Sequence, residues 1–168
     1  VRAVCSQFGD DYWLARDDDG KFPREFHRAM ADGGWLGITM PPELGGAGMG
    51  VTEAAIMMNR ICKGAGGYSA ASTIHLNIFG PHAITVFGNK EQQERMLKPL
   101  IAGQDKACFG VTEPDAGLDT TSIKTFATKV DGGYRITGRK LWTSSGQVAN
   151  KIVLLARTTP KEECKRPT

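Results

Sequence analysis

Apolar residues recur at helical spacing through the first hundred positions, and then give way to short alternating runs. Phe22, Phe26, Ala29 and Met30 stand at i, i+4, i+7 and i+8, one face of a helix. Pro23 is tolerated in its first turn, and Gly33-Gly34 ends it. A second helix is predicted with Thr52 as its cap, Ile56, Met57 and Ile61 on its apolar face, and Gly64 as its stop. Ser69 or Ser72 opens a third, a long buried segment running through Phe87. Asn89 with Gln92 resembles a capping box ahead of Met96, Leu97, Leu100 and Ile101, with Gly103 closing that helix. The pattern predicts four or five helices over residues 1–105.

Near Asp105 the period shortens to two. Ala107 to Val111 is a short apolar strand. Ile123 to Val130 alternates, with Lys124, Phe126, Thr128 and Val130 on one face and Ile123, Thr125, Ala127 and Lys129 on the other. Asp131-Gly132-Gly133 is a hairpin turn into a strand from Tyr134 to Leu141, and Ile152 to Ala156 is a further, fully apolar strand. Lys161 to Arg166 reads as a charged surface loop or the beginning of disorder. The plan is α+β: an all-α helical bundle over residues 1–105, then part of an antiparallel β-barrel or sandwich over 106–168. Such an apolar last strand leaves an edge that proteins cover or pair, so more strands are expected to follow in the complete protein.

Composition narrows the function classes without changing this plan. Of 168 residues, 40% are hydrophobic and 23% charged, ordinary for a soluble globular chain. A net charge of +3 is too small to argue for nucleic acid. Cys5, Cys62, Cys108 and Cys164 lie far apart with no CxxC pair, so neither a disulfide framework nor a zinc site is expected. Each reads as a small buried hydrophobe in a reducing compartment. No carboxylate spacing around His27, His75 or His82 suggests a metal. The longest apolar run, Tyr68 to Phe87, is interrupted by His75, Asn77, Gly80, Pro81 and His82, which fits a core helix and not a membrane span. No signal peptide is read ahead of the first helix.

Three segments invite a chemical reading. Gly45-Gly46-Ala47-Gly48-Met49-Gly50 begins like a dinucleotide loop, but Val51 takes the last glycine position and Pro41-Pro42 stands where a strand is required. It reads as a flexible linker between helices. Phe109-Gly110-Val111-Thr112-Glu113-Pro114-Asp115-Ala116-Gly117-Leu118-Asp119 runs from a strand into a Pro/Gly turn. Such a turn frees backbone N–H groups for a ligand, with Gly117 permitting φ > 0 and close approach of a phosphate. A plain β-turn with a self-bonded Thr112 explains it equally well. Leu141-Trp142-Thr143-Ser144-Ser145-Gly146 ends a strand with a flat aromatic beside hydroxyls. Trp142 is either a core residue or a face for a flavin or base, and Ser144 shares that face if the strand continues.

Together these segments carry a resemblance. Gly34-Trp35-Leu36-Gly37-Ile38 with Pro41-Pro42-Glu43-Leu44-Gly45-Gly46, then Phe109 to Asp119, Ile123-Lys124-Thr125 and Gly138-Arg139-Lys140-Leu141-Trp142 are similar in order and spacing to the acyl-CoA dehydrogenases. The resemblance implies FAD as cofactor, held by Phe109, Gly110, Val111 and Thr112, by Gly117 and Leu118 at the phosphates, and by Trp142, Thr143 and Ser144 at the ring. It implies an acyl-CoA substrate near Leu118, Ser72 and His75, although His75 reads equally as a satisfied polar group in a helix interface. Leu118 departs from the family, where most members have Ser, and its side chain lacks the hydroxyl.

The implied reaction oxidises the thioester to trans-2-enoyl-CoA, with α-proton abstraction by a glutamate outside this chain and β-hydride transfer to flavin N5. An electron-transfer flavoprotein is the implied acceptor, the complete protein a tetramer or dimer, and its place the bacterial cytoplasm or mitochondrial matrix. A flavin monooxygenase or oxidase of the same fold, and a non-catalytic scaffold, are the competing readings.

Overall fold

The computed structural model describes residues 1–164. Its helical half contains α1 (Arg2–Cys5), α2 (Asp10–Asp19), α3 (Arg24–Asp32), α4 (Val51–Cys62), α5 (Gly67–Ile78), α6 (His82–Phe87) and α7 (Lys90–Ile101). Phe26, Met30, Leu36, Ile38, Met57, Ile61, Ile74 and Ile78 bury one continuous core between α3, α4 and α5. Phe8 and Trp13 meet Phe26 edge-on at its rim, and Tyr12 meets Phe8 and Trp13 in the same way. A smaller cluster of Met40, Leu44, Leu97 and Ile101 seats α7 against the segment after α3.

Local rules account for several helix ends. Asn89 accepts from the Gln92 N–H at 2.9 Å while Gln92 accepts from the Asn89 N–H at 2.9 Å, the expected reciprocal cap of α7. Gly34, in the left-handed region at φ 75°, turns the chain after α3. Thr52 is not the cap of α4. It lies inside the helix, and Glu53 reaches back to the Gly50 N–H at 2.9 Å. Ile56 is exposed, so the buried face of α4 is Ala54, Met57 and Ile61.

The segment from Tyr68 to Phe87 is two helices and not one. Pro81 has no N–H and its ring crowds the preceding turn, so α5 ends at Ile78 and α6 begins at His82. The glycine loop before α4 is also unlike a flexible linker. The N–H groups of Gly46, Ala47, Gly48 and Met49 donate to Pro41, Gly37, Met40 and Ile38 carbonyls, all at 2.9–3.0 Å. A Cβ on Gly46 would overlap the Met40 carbonyl, so here glycine serves close approach.

The β half contains β1 (Ala107–Gly110), β2 (Phe126–Val130), β3 (Gly133–Thr137) and β4 (Lys151–Leu154). β2 and β3 form the expected antiparallel hairpin, with Gly132 at φ 75° in its turn. β1 pairs with β4, in parallel, from Ala107↔Lys151 to Gly110↔Leu154. The antiparallel expectation fails for this pair because the intervening hairpin folds aside as its own two-stranded unit and returns the chain in the direction of β1. All three later strands are shorter than the alternation implied. At residues 123–125 the N–H groups of Lys124 and Thr125 are taken by the Glu113 carboxylate, so no ladder forms there. Ile123, Thr125 and Ala127 nevertheless face inward, one of the two predicted faces. Lys161–Glu163 is a short 3-10 turn, and the rest of the charged stretch, 165–166, lies outside the described residues.

Candidate functional site

β1 delivers the chain into the Pro/Gly turn, and polar side chains hold that turn from behind. Glu113 is buried, and its carboxylate accepts from the Lys124 N–H at 2.5 Å, the Thr125 N–H at 2.9 Å and the Lys140 ammonium at 2.8 Å. Burial pushes this carboxyl up. The Lys124 N–H, the Lys140 ammonium and the Thr125 N–H together outweigh it and hold the group at about 2, well below the usual carboxylate range. Glu113 and Ala116 also exchange backbone hydrogen bonds, which close the turn around Pro114-Asp115.

Lys140 reaches the same turn from the chain after β3. Its ammonium donates to the Val111 carbonyl at 2.9 Å, and the next N–H, that of Leu141, donates to the Thr112 carbonyl at 2.8 Å. These bonds place Trp142 beside the end of β1. The two motifs, about thirty residues apart in sequence, thus meet in space. Trp142 is not on a strand, however, because β3 ends at Thr137. A Cβ on Gly138 would overlap Thr125, so the chain leaves the hairpin by passing close against that residue. Trp142 then adopts φ 55° and Ser145 φ 60°, both left-handed and uncommon for residues with a Cβ. Strand alternation therefore does not set Ser144 beside Trp142, and residues 143–149 form successive turns.

Trp142 is 86% exposed, which removes the core reading for this tryptophan. Phe109 is exposed and Gly110 is buried, where a Cβ would press on the Ile152 and Leu154 side-chain ends at 3.0 and 3.1 Å. Val111, Thr112 and Thr143 are half-buried, and Ser144 is exposed. Among the described residues, the N–H groups of Val111 and Thr112 have no acceptor, nor do those of Gly117 and Leu118. Gly117 does not use φ > 0, as the open turn needs no left-handed residue there. Its surroundings are empty, and Leu118 stands fully in solvent.

Ser72 is exposed on α5, and His75 is half-buried with Nδ1 3.3 Å from the Ser72 carbonyl. Two residues further, sequence reasoning missed a link. Asn77, 3% exposed, lies with its amide nitrogen 3.2 Å from His27 Nε2 and accepts from the Ala107 N–H at 3.0 Å. A buried amide thereby joins α3, α5 and the first residue of β1. Because Asn77 Nδ2 is a donor only, His27 Nε2 accepts and Nδ1 carries the proton. Burial, then Lys106, Arg24 and Arg28, hold His27 down at about 4, so it is neutral. The signal in the sequence was a lone Asn within an apolar helical run. Among the described residues no group of His, Cys, Asp and Glu is arranged to hold a metal ion, and no helix is long and apolar enough to cross a membrane.

Comparison with known proteins gives this geometry a context. Residues 1–104 match a family model described as the acyl-CoA dehydrogenase N-terminal domain, and residues 108–167 match the acyl-CoA dehydrogenase middle domain. Benzylmalonyl-CoA dehydrogenase of Aromatoleum aromaticum is 34% identical over 143 residues, covering 85% of this chain and 38% of that protein. The crystal structure of acyl-CoA dehydrogenase from Geobacillus kaustophilus superposes with a TM-score of 0.86 at 25% identity, covering 99% of this chain and 43% of the other. The FAD complex of PigA shares the fold, with a TM-score of 0.86 at 24% identity over 95% of this chain and 42% of the other. The chain spans about two fifths of the length of these relatives. With both family models matched in order, and the helical half followed by a partial β domain as in those structures, the chain belongs to the acyl-CoA dehydrogenase family.

Proposed function

We propose that the complete protein is an FAD-dependent acyl-CoA dehydrogenase and that this chain forms one wall of its flavin site. The observation that carries this reading is the meeting of two features at the end of β1. There the Val111 and Thr112 N–H groups have no acceptor among the described residues, and the exposed Trp142 directly follows Leu141, whose N–H donates to the Thr112 carbonyl. Backbone donors without an acceptor, close in the chain's path to an exposed flat aromatic, suit the pyrimidine edge and ring of a flavin. The residues present therefore fit the group.

Phe109, Gly110, Val111, Thr112, Trp142, Thr143 and Ser144 are assigned to the ring. Gly117 and Leu118 are assigned to the phosphates, through backbone N–H groups that have no acceptor among the described residues. Leu118 has no hydroxyl to add a side-chain contact. Ser72 and His75 on α5 are assigned to the acyl side, because α5 packs directly against β1 and shares Asn77 with it. Bound FAD supplies the acceptor for the β-hydrogen. The residues of this chain bind and orient it and keep water from one side of it, which matters because a dry site strengthens the hydrogen bonds that polarise a thioester carbonyl. No residue here is assigned as the base. The proposal places that glutamate in the remainder of a protein whose relatives are more than twice as long. An electron-transfer flavoprotein as acceptor and assembly as a homotetramer or dimer belong to the same proposal.

The test is the visible spectrum and turnover of the complete protein. It is expected to be yellow, to be bleached anaerobically by an acyl-CoA, and to turn over with an artificial acceptor. Strict oxygen dependence without acyl-CoA turnover would replace this reading with the oxidase one. A colourless protein that takes up no added FAD would replace it with the scaffold.

A further inference from the structure

Two buried charges stand behind the end of β1, and the reaction above uses neither. The side chains of Lys140 and Glu113 are 8% and 5% exposed, with Nζ 2.8 Å from the carboxylate. Stability alone is a weak reason for such a pair, since apolar residues of similar volume often do as well. Its geometry is specific. Every peptide bond in the described chain is trans, and a planar trans peptide points its N–H opposite to its C=O. Anchoring the Val111 carbonyl on the Lys140 ammonium therefore turns the Thr112 N–H away from the buried pair, to the side where it has no acceptor among the described residues.

The other end of the clamp is Trp142. A bulky residue at φ 55° persists only where its surroundings hold it. Here the two preceding residues are pinned, Lys140 by Glu113 and Val111, and Leu141 by Thr112. Glu113 is in turn held by the Lys124 and Thr125 N–H groups, so the ammonium has a fixed partner. Only a multivalent donor serves a carbonyl and a carboxylate at once, which an apolar pair does not.

Resting on the flavin reading, we infer that Lys140 and Glu113 are positioning residues for the flavin. The pair aims the Thr112 N–H at the pyrimidine edge and holds the Trp142 backbone in its left-handed conformation, which sets where the indole leaves the chain. Neither side chain touches the cofactor or the substrate.

The experiment compares the complete protein with Lys140→Met and with the double variant Glu113→Gln, Lys140→Met. The double variant has no unpaired buried charge. The carboxylate serves the Lys124 and Thr125 N–H groups with one oxygen each, and the single amide oxygen of the substituted side chain keeps one of these bonds, so this variant is expected to fold with a lowered thermal midpoint. Its circular dichroism is expected to stay near wild type. Its dissociation constant for FAD is expected to rise about tenfold, the scale of one lost hydrogen bond. The absorption bands and midpoint potential of the flavin that still binds are expected to shift, which a purely structural role would not cause. Wild-type FAD affinity and spectrum in the double variant overturn the inference alone. Unfolding of the double variant also counts against it, by assigning the pair to stability. A wild-type protein that binds no FAD overturns the flavin reading and this inference together, so the two failures are distinguishable.

Discussion

In the helical half, Phe26, Met30, Leu36, Ile61, Ile74 and Ile78 are almost wholly removed from solvent. In the β half the buried apolar residues are small, namely Ala107, Cys108, Ala116 and Ala127 with Ile123, while Phe109, Leu118, Tyr134, Ile136, Trp142 and Ile152 face outward. Side-chain hydrogen bonds do the joining there. Glu113 and Lys140 hold the turn, Arg157 Nε donates to the Ile123 carbonyl at 2.8 Å, and Asn150 accepts from the Lys106 N–H at 2.8 Å. The contrast shows a division of labour. Apolar packing is non-directional and makes a support, whereas hydrogen bonds are directional and can aim individual peptide groups of the proposed flavin wall.

The largest effect expected is in the support. Phe26→Ala should cost about 3–5 kcal/mol of unfolding free energy, read from urea titration, since the ring is fully buried and surrounded by aromatics. A cost below that of an exposed substitution would erase the contrast.

Acid should next break the polar joints in sequence. His27 titrates near 6.5 when unfolded and about 4 when folded, so the unfolded chain binds the proton first and stability falls as pH drops through that window. Glu113 behaves alike from 4.5 down to about 2. Each window should show a slope approaching about 1.4 kcal/mol per pH unit. His27→Gln, which still offers Asn77 an acceptor, should flatten the upper window only. A pH-independent midpoint between 7 and 4 would contradict this.

Smaller effects sharpen the comparison at its edges. Asn89→Ala should cost about 1 kcal/mol by removing the α7 cap, measured by thermal or chemical unfolding. Leu118→Ser should change stability by less than about 0.5 kcal/mol, because the side chain touches nothing. The same change should tighten FAD binding in the complete protein if residues 117–118 meet the phosphates. Unchanged affinity would show that a hydroxyl at position 118 does not reach the phosphates.

Much of this was legible before folding. The α7 capping box, the stop after α3, the hairpin turn and the helix-then-strand order all depend on residues within a few positions of one another. Three of the misreadings turn on a competing partner. Thr52 lost the cap to Gly50 with Glu53, the alternation at 123–125 lost its ladder to a carboxylate eleven residues away, and the Trp142 strand ended early against Thr125. The last two partners lie too far along the chain for local pattern to weigh.

For the site, the order of motifs along the chain was readable, because a family keeps its chemistry-bearing residue types at fixed spacing. The pairing of Lys140 with Glu113 across 27 positions, the direction of the Thr112 N–H, the left-handed Trp142 and the Asn77 link to β1 were not. Periodicity and capping are properties of neighbouring residues, so the sequence alone determined the helices and the place of the motifs. The aim of a peptide group depends on which distant donor reaches its carbonyl, and only the tertiary structure decided that.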